Sequence, residues 1–231
     1  MTDATPTPQM LRLAERFGHR FADPALLIRA CTHRSHGPDN NERLEYLGDA
    51  LLGLVIAAEV YERRPMAHEG VLSRLRSRLV RETSLAELAR ALDFGDALQL
   101  GEGELHSGGF RRASILADAF EALLGAVYRD AGFDAARRVC LQQFAGLLDH
   151  LPAADELKDP KTRLQECLQA TGRPLPQYVV LEESGPPHKR HFRVSCELED
   201  GSHSEAGAGS RRQAEQEAAA KMLERLEAAH A

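Results

Sequence analysis

The segment Asn41-Glu42-Arg43-Leu44-Glu45-Tyr46-Leu47-Gly48-Asp49-Ala50 runs directly into the apolar stretch Leu51-Leu52-Gly53-Leu54-Val55-Ile56-Ala57-Ala58. That join constrains the chain more than any other feature. A helix through it must carry Glu42, Glu45 and Asp49 on one face, because they stand at i, i+3 and i+7. Like charges stacked this way repel by roughly 0.2–0.5 kcal/mol per pair even when exposed. The cost rises if the face is partly buried. A cation would offset it, and carboxylate oxygens are hard donors that suit Mg²⁺ or Mn²⁺ rather than Zn²⁺.

A second acid pair lies in Ser114-Ile115-Leu116-Ala117-Asp118-Ala119-Phe120-Glu121-Ala122-Leu123-Leu124-Gly125. Asp118 and Glu121 are i, i+3 and share a helical face. Their helix is otherwise apolar, and Asp and Glu are rarely buried without a partner. Acids at this spacing ordinarily mark a solvated face. The apolar setting of both segments, with a glycine beside each set, argues for a different arrangement. Two such helices facing each other make an all-oxygen metal site.

A chain of 231 residues holds one large or two small domains. There is no Trp, so the cores rest mainly on Leu, Ala, Val and Ile. Met1 to Pro8 is rich in Thr and Pro and lacks both a basic start and an apolar centre, so it is not a signal peptide. Residues 1–10 read as a disordered tail. The longest apolar run, Leu51 to Ala58, is far too short for a bilayer span of about 20 residues. Cys31, Cys140, Cys167 and Cys196 form no CxxC pair and no zinc-ligand spacing, as expected of thiols in a reducing cytoplasm. The net charge of −6 argues against a protein that coats nucleic acid generally, but not against a site-directed one.

Helical apolar spacing covers 25–32, 42–63, 71–90, 115–130 and 133–151. Turn chemistry separates these segments at His36-Gly37-Pro38, Arg64-Pro65, Phe94-Gly95-Asp96 and Ser107-Gly108-Gly109. Asp23-Pro24 reads as an N-cap with Pro at the first helical position. Thr83 or Ser84 with Glu87 resembles a capping box. The pattern changes past a linker at 153–158. Residues 161–171 are helical, 177–183, 191–198 and 203–208 alternate as strands, and 211–229 is an Ala-rich helix. The expected organisation is an all-α domain over 11–152 and an α+β domain, α-β-β-β-α, over 159–231.

The run NERLEYLGDALL resembles the signature of bacterial ribonuclease III. So does the block from Gly101 to Arg112 that leads into Ser114-Ile115-Leu116-Ala117-Asp118. The wording DPKTRLQE, GPPH and SRRQAEQEAA resembles a double-stranded-RNA-binding domain. The resemblance implies an endoribonuclease that hydrolyses double-stranded RNA to 5′-phosphate and 3′-hydroxyl ends with short 3′ overhangs. Ribosomal RNA precursors and some mRNAs are its implied substrates. It also implies a homodimer, each subunit contributing one acidic cluster. The implied metal ligands are Glu45, Asp49, Asp118 and Glu121, with Glu42 joining them as a catalytic residue. Mg²⁺ is the implied cofactor, with Mn²⁺ able to substitute. Tyr46 and Glu69 are implied dimer contacts. On the residues alone, Tyr46 reads equally as a core aromatic, Glu69 as a helix-start acid and Asn41 as an N-cap. His33 and His68 read as structural or surface residues.

In the second domain the resemblance places Thr162, Gln165 and Glu166 against minor-groove 2′-hydroxyls, and His188 in the loop that reaches the next minor groove. Arg211 and Arg212 form a phosphate clamp at a helix start. Two departures stand out. Gly207 and Gly209 lie one place closer to Ser210-Arg211 than in most such domains, which implies a shorter loop. Glu215 stands where a third basic residue is common, which implies weaker phosphate binding. The competing reading is a non-catalytic double-stranded-RNA-binding regulator, which loss of a ligand acid would favour. All four are present. A ferritin-like di-iron site needs Glu-x-x-His pairs, and neither acid segment has one. A His-Asp phosphohydrolase needs a dipeptide this chain lacks.

Overall fold

The structure is a computed structural model that describes residues 5–153, 159–186 and 189–230. The chain divides into two compact units, Met1–Pro152 and Ala153–Ala231. The first is helical: α1 (Pro8–Phe17), α2 (Pro24–Ala30), α3 (Glu42–Arg63), α4 (Glu69–Leu79), α5 (Glu82–Ala91), α6 (Phe94–Ala97), α7 (Glu102–His106), a 3₁₀ turn (Gly109–Arg111) and α8 (Ala113–Asp149).

Local chemistry sets most boundaries. Asp23 caps α2 through the Ala25 N–H, and Pro24 opens the helix, as its sequence predicts. Gly132, at φ +80°, interrupts α8 between the two apolar segments read there. The tail expectation needs correction. Thr7 accepts the Met10 N–H at 3.2 Å, residues 8–10 form the first turn of α1, and Met10 is buried. Residues 1–4 lie outside the described residues. The single helix expected over 71–90 is two helices, because the Ser84 hydroxyl donates to the Arg78 carbonyl at 2.9 Å and fixes the break. The capping box expected at 83–87 is likewise replaced. α5 starts at Glu82 after Arg81, with no side-chain cap.

α3 buries Leu44, Gly48, Leu51, Leu52, Val55, Ile56 and Val60 as one stripe against α8. Phe17, Phe94, Phe120 and Phe144 meet around α8, with ring centroids 5.3–6.0 Å apart and mostly edge-to-face. Asp130, in the middle of α8 just before the Gly132 interruption, ties down the loop after α1. It accepts the Ala22 and Asp23 N–H groups, each at 2.9 Å, and lies 2.8 Å from His19 Nε2.

The second unit is α9 (Pro160–Ala170), β1 (Gln177–Ser184), β2 (His191–Glu197), β3 (His203–Ala208) and α10 (Arg211–His230). Its sheet is antiparallel in the order β1-β2-β3. β3 alternates strictly, turning Ser204, Ala206 and Ala208 inward. α10 answers with Ala214, Ala218, Ala219, Met222 and Leu223, and its alanines let the helix lie close to the strands. Leu164 and Leu168 bring α9 into the same core. Among the described residues no helix is long and apolar enough to cross a membrane. All four cysteines are free thiols, and burial pushes Cys31 and Cys140 up to about 12, which keeps them unreactive.

Candidate active site and RNA-binding surface

Two glycines set the distance between the acid-bearing helices. A Cβ at Gly48 would lie 1.8 Å from the Glu121 carbonyl oxygen, and one at Gly125 would lie 2.2 Å from the Leu44 carbonyl oxygen. Here α3 and α8 touch backbone to backbone, closer than side chains would permit. The contact lies beside both acid sets, so it brings them together. Glu45, Asp118 and Glu121 each present a carboxylate oxygen within 4.8 Å of the others. All three are half-buried.

Among the described residues, none of these three carboxylates takes an ion pair or a side-chain hydrogen bond. Their charges are therefore uncompensated, and each is harder to ionise than an ordinary acid. Glu121 is pushed up to about 8, first by burial and then by Asp49, Asp118 and Glu45. Glu45 is raised by burial, then by Asp118 and Glu42. Asp118 is raised by burial and by Glu82, against the opposing fields of His33 and Arg34. Three crowded, hard, anionic donors with no protein cation between them could hold a metal ion.

The other expected residues stand apart from this triad. Asp49 is exposed and does not join it, although after burial its charge does most to raise Glu121. Glu42 sits at the start of α3, with Arg34 at 3.6 Å. Glu69 is an exposed first-turn acid of α4, outside the cluster. Asn41 occupies the cap position of α3 without capping it. It is buried, and its Nδ2 donates to the Ala30 carbonyl at 3.5 Å. Tyr46 is not a core aromatic, being 80% exposed. It lines an open cavity of about 1080 Å³ together with Leu26, Arg29, Pro38, Arg43 and Arg129.

Two residues at the rim were not anticipated as neighbours of the acids. His33 is buried, donates its N–H to the Gln99 carbonyl at 3.0 Å and places Nδ1 2.8 Å from the Ser35 hydroxyl. Burial lowers its pKa against the pull of Glu104, Asp118 and Glu42, which favours the neutral ring. Arg34 is exposed, and its charge is felt by Glu45 and Asp118. Both lie in the connection between α2 and α3, which no helical period covers. The only sequence signal was the consecutive polar run Thr32-His33-Arg34-Ser35.

In the second unit, Thr162, Gln165 and Glu166 lie on one side of α9. The Thr162 N–H and hydroxyl both donate to Asp159, at 3.1 and 2.8 Å, so this cap fixes the side chain. Arg211 and Arg212 are exposed at the start of α10, where the Ser210 hydroxyl caps the Gln213 N–H at 3.2 Å. Beside them an open hollow of about 630 Å³ is lined by Lys189, Arg190, His191, Phe192, Ser210 and Arg211. His188, the expected loop contact, lies outside the described residues.

A helical unit holding an uncompensated acid triad, followed by an α-β-β-β-α unit with a basic helix start, defines a nuclease coupled to a duplex-RNA-binding domain. Comparison with known proteins agrees. The family profile described as Ribonuclease-III-like matches residues 23–147, and the double-stranded RNA binding motif matches residues 160–226. A "Ribonuclease 3" of Alkalilimnicola ehrlichii is 59% identical, covering 97% of this chain and 99% of that protein. One from Methylococcus capsulatus is 55% identical over 93% and 94%. The solved nuclease domain of a ribonuclease III from Campylobacter jejuni is 37% identical with a TM-score of 0.60, covering 63% of this chain and all of that one. The chain belongs to the ribonuclease III family.

Proposed function

We propose that the protein is a divalent-metal-dependent endoribonuclease that cuts double-stranded RNA as a homodimer. The observation that carries this reading is the convergence of Glu45, Asp118 and Glu121 within 4.8 Å in a chain that also bears a duplex-RNA-binding motif. These three carboxylates would hold the ion, with Asp49 adding negative charge from the next turn of α3. Mg²⁺ fits the donor set, and Mn²⁺ would substitute. When bound, such an ion supplies positive charge at a scissile phosphate and a water acidic enough to attack it.

The remaining roles fall to the chain itself. Gly48 and Gly125 hold α3 and α8 at the spacing the triad requires. Glu42 lies at the rim, where it would orient water or substrate. The His33 backbone is held by Gln99 and its ring by the Ser35 hydroxyl, so it braces the rim rather than supplying a nucleophile. Thr162, Gln165, Glu166 and His188 would read 2′-hydroxyls, and Arg211 and Arg212 would hold phosphates. The products would carry 5′-phosphate and 3′-hydroxyl ends with short 3′ overhangs. Ribosomal precursors and some mRNAs would be substrates, in the cytoplasm.

Dimerisation is supported by the exposed Tyr46 beside an open cavity. A related nuclease domain from Campylobacter jejuni, 40% identical with a TM-score of 0.57, is described for the flexibility of its region involved in dimer formation. Glu69 would lie near the same contact. The test is incubation of the full chain with a long perfect RNA duplex and with its separate strands, in Mg²⁺ or EDTA. Staggered duplex cleavage in Mg²⁺ alone, by a species sedimenting as a dimer, is expected. Cleavage that persists in EDTA, or that spares the duplex, would overturn the reading.

A further inference from the structure

Glu215 is the acid that interrupts the basic start of α10, and from sequence it would only weaken phosphate binding. Its surroundings give it another role. The side chain is 13% exposed, one helical turn beyond Arg211. Oε1 accepts the Arg211 Nε at 2.9 Å, and Oε2 accepts the Lys161 Nζ at 2.7 Å. Lys161 belongs to α9 and is fixed a second time, with its Nζ 4.3 Å from the centre of the Tyr178 ring. Burial alone would raise Glu215, yet the bonds from Lys161 and Arg211 bring its pKa below the ordinary value, so it stays ionised.

The geometry of the Arg211 bond matters. Nε is committed to Glu215, and among the described residues neither Nη group takes a hydrogen bond, on a side chain that is 61% exposed. A guanidinium held by Nε presents the planar fork that recognises phosphate. The same carboxylate ties α10 to α9, the helix that carries Thr162 and Gln165. We propose that Glu215 is a positioning residue for duplex-RNA binding, orienting the Arg211 fork toward a backbone phosphate and fixing its spacing from the minor-groove residues of α9. The proposal rests on the RNA-binding reading above. A pre-ordered side chain loses less freedom on binding, so the acid raises affinity although its charge opposes phosphate.

The test is fluorescence anisotropy of a labelled RNA duplex with the full chain in EDTA, where binding is read without cleavage. Glu215→Gln should bind roughly 3- to 10-fold more weakly than wild type. In an Arg211→Gln background the same substitution should change binding little, because the group it positions is gone. Tighter binding by Glu215→Gln would show that the acid merely repels phosphate, and would overturn the proposal. An equal loss in both backgrounds would assign Glu215 to domain stability alone. Arg211→Lys guards against a folding defect, since it keeps the exposed charge and removes the fork. It should lose a similar factor, and wild-type affinity in this variant would also sink the idea. Failure of the wild-type chain itself to bind duplex would defeat the RNA-binding reading, an outcome distinct from any of these.

Discussion

Glu121 and Glu215 are both glutamates on helices, both mostly removed from water, and they behave in opposite ways. Glu121 shares its space with Glu45 and Asp118 and feels Asp49, so its carboxyl is pushed up to about 8. Glu215 lies between a lysine and an arginine, and its carboxyl is lowered. Among the described residues the acid triad of the nuclease unit has no ion-pair partner, whereas the RNA-binding unit gives Glu215 two. A carboxylate cluster that the protein does not neutralise could take a cation from outside, and one that it does neutralise is already balanced. The first arrangement fits catalysis by a bound cation. The second fits the placement of a side chain.

The sharpest way to break this comparison is to remove the charge of Glu121. Glu121→Gln keeps the shape but supplies no negative charge to a cation. Cleavage should fall by on the order of 10²–10³-fold, the usual cost of deleting one electrostatic partner at a reacting centre, while duplex binding persists. Near-normal turnover at low Mg²⁺ would end the assignment. The same residue gives a pH signature in the metal-free chain. In the folded chain it is pushed up to about 8, above the ordinary value of 4.5. Its contribution to stability is therefore complete below about pH 4.5 and is lost as the pH rises through about 8. Melting in EDTA should show stability declining across that window, and Glu121→Gln should flatten the decline. Added Mg²⁺ should raise Tm more at about pH 8 than at about pH 5.5, because protons compete with the ion for the carboxylates. A larger shift at the lower pH would contradict the uncompensated cluster.

A second test leaves every charge in place and moves the helices. Gly48→Ala puts a methyl group where the Glu121 carbonyl oxygen already sits, 1.8 Å away. Overpacking of this kind typically costs about 1–3 kcal/mol, and here the neighbour is backbone, which cannot rotate aside. Tm should drop, and cleavage at a temperature where the variant is folded should drop further, because the acids move apart with their helices. Gly53→Ala is the control on the same helix, with open space around its would-be Cβ. It should leave cleavage near wild type and Tm unchanged or slightly raised. Equal behaviour of the two variants would show that the close approach is not what assembles the site.

What the sequence made legible follows from how local each feature is. The acid sets on α3 and α8, the three strands and the Asp23 cap are written in spacings of a few residues, and they were readable. The first turn of α1 was missed although Thr7 caps it and Pro8 opens it, because that cap sits inside the Thr/Pro-rich stretch read as a tail. The break between α4 and α5 depends on a Ser84 hydroxyl bonded six residues back, where a propensity reading sees unbroken helix. Asp49 shares a helical face with Glu45 in sequence, yet the triad closes without it. His33 and Arg34 come to the rim along an irregular connection. Glu215 looked like a defect because its partner Lys161 lies 54 positions away in the chain.

The smallest expected effect separates the two arginines of the RNA-binding unit. Arg211 is held by Glu215, whereas the charge of Arg212 is felt by Asp159 with no ion pair among the described residues. If both meet phosphates, Arg211→Gln and Arg212→Gln should each reduce the slope of log K against log salt by about 1. Their affinities should differ. Arg212 must be ordered when RNA binds, so its loss should cost only a few-fold, roughly, while loss of the pre-ordered Arg211 should cost more. Anisotropy titrations with one duplex across a salt series measure both quantities. An unchanged slope for Arg212→Gln would remove that residue from the phosphate contact. Equal losses at every salt concentration would mean that the bond to Glu215 gives Arg211 no advantage, and the contrast between the two acids would then hold for charge but not for function.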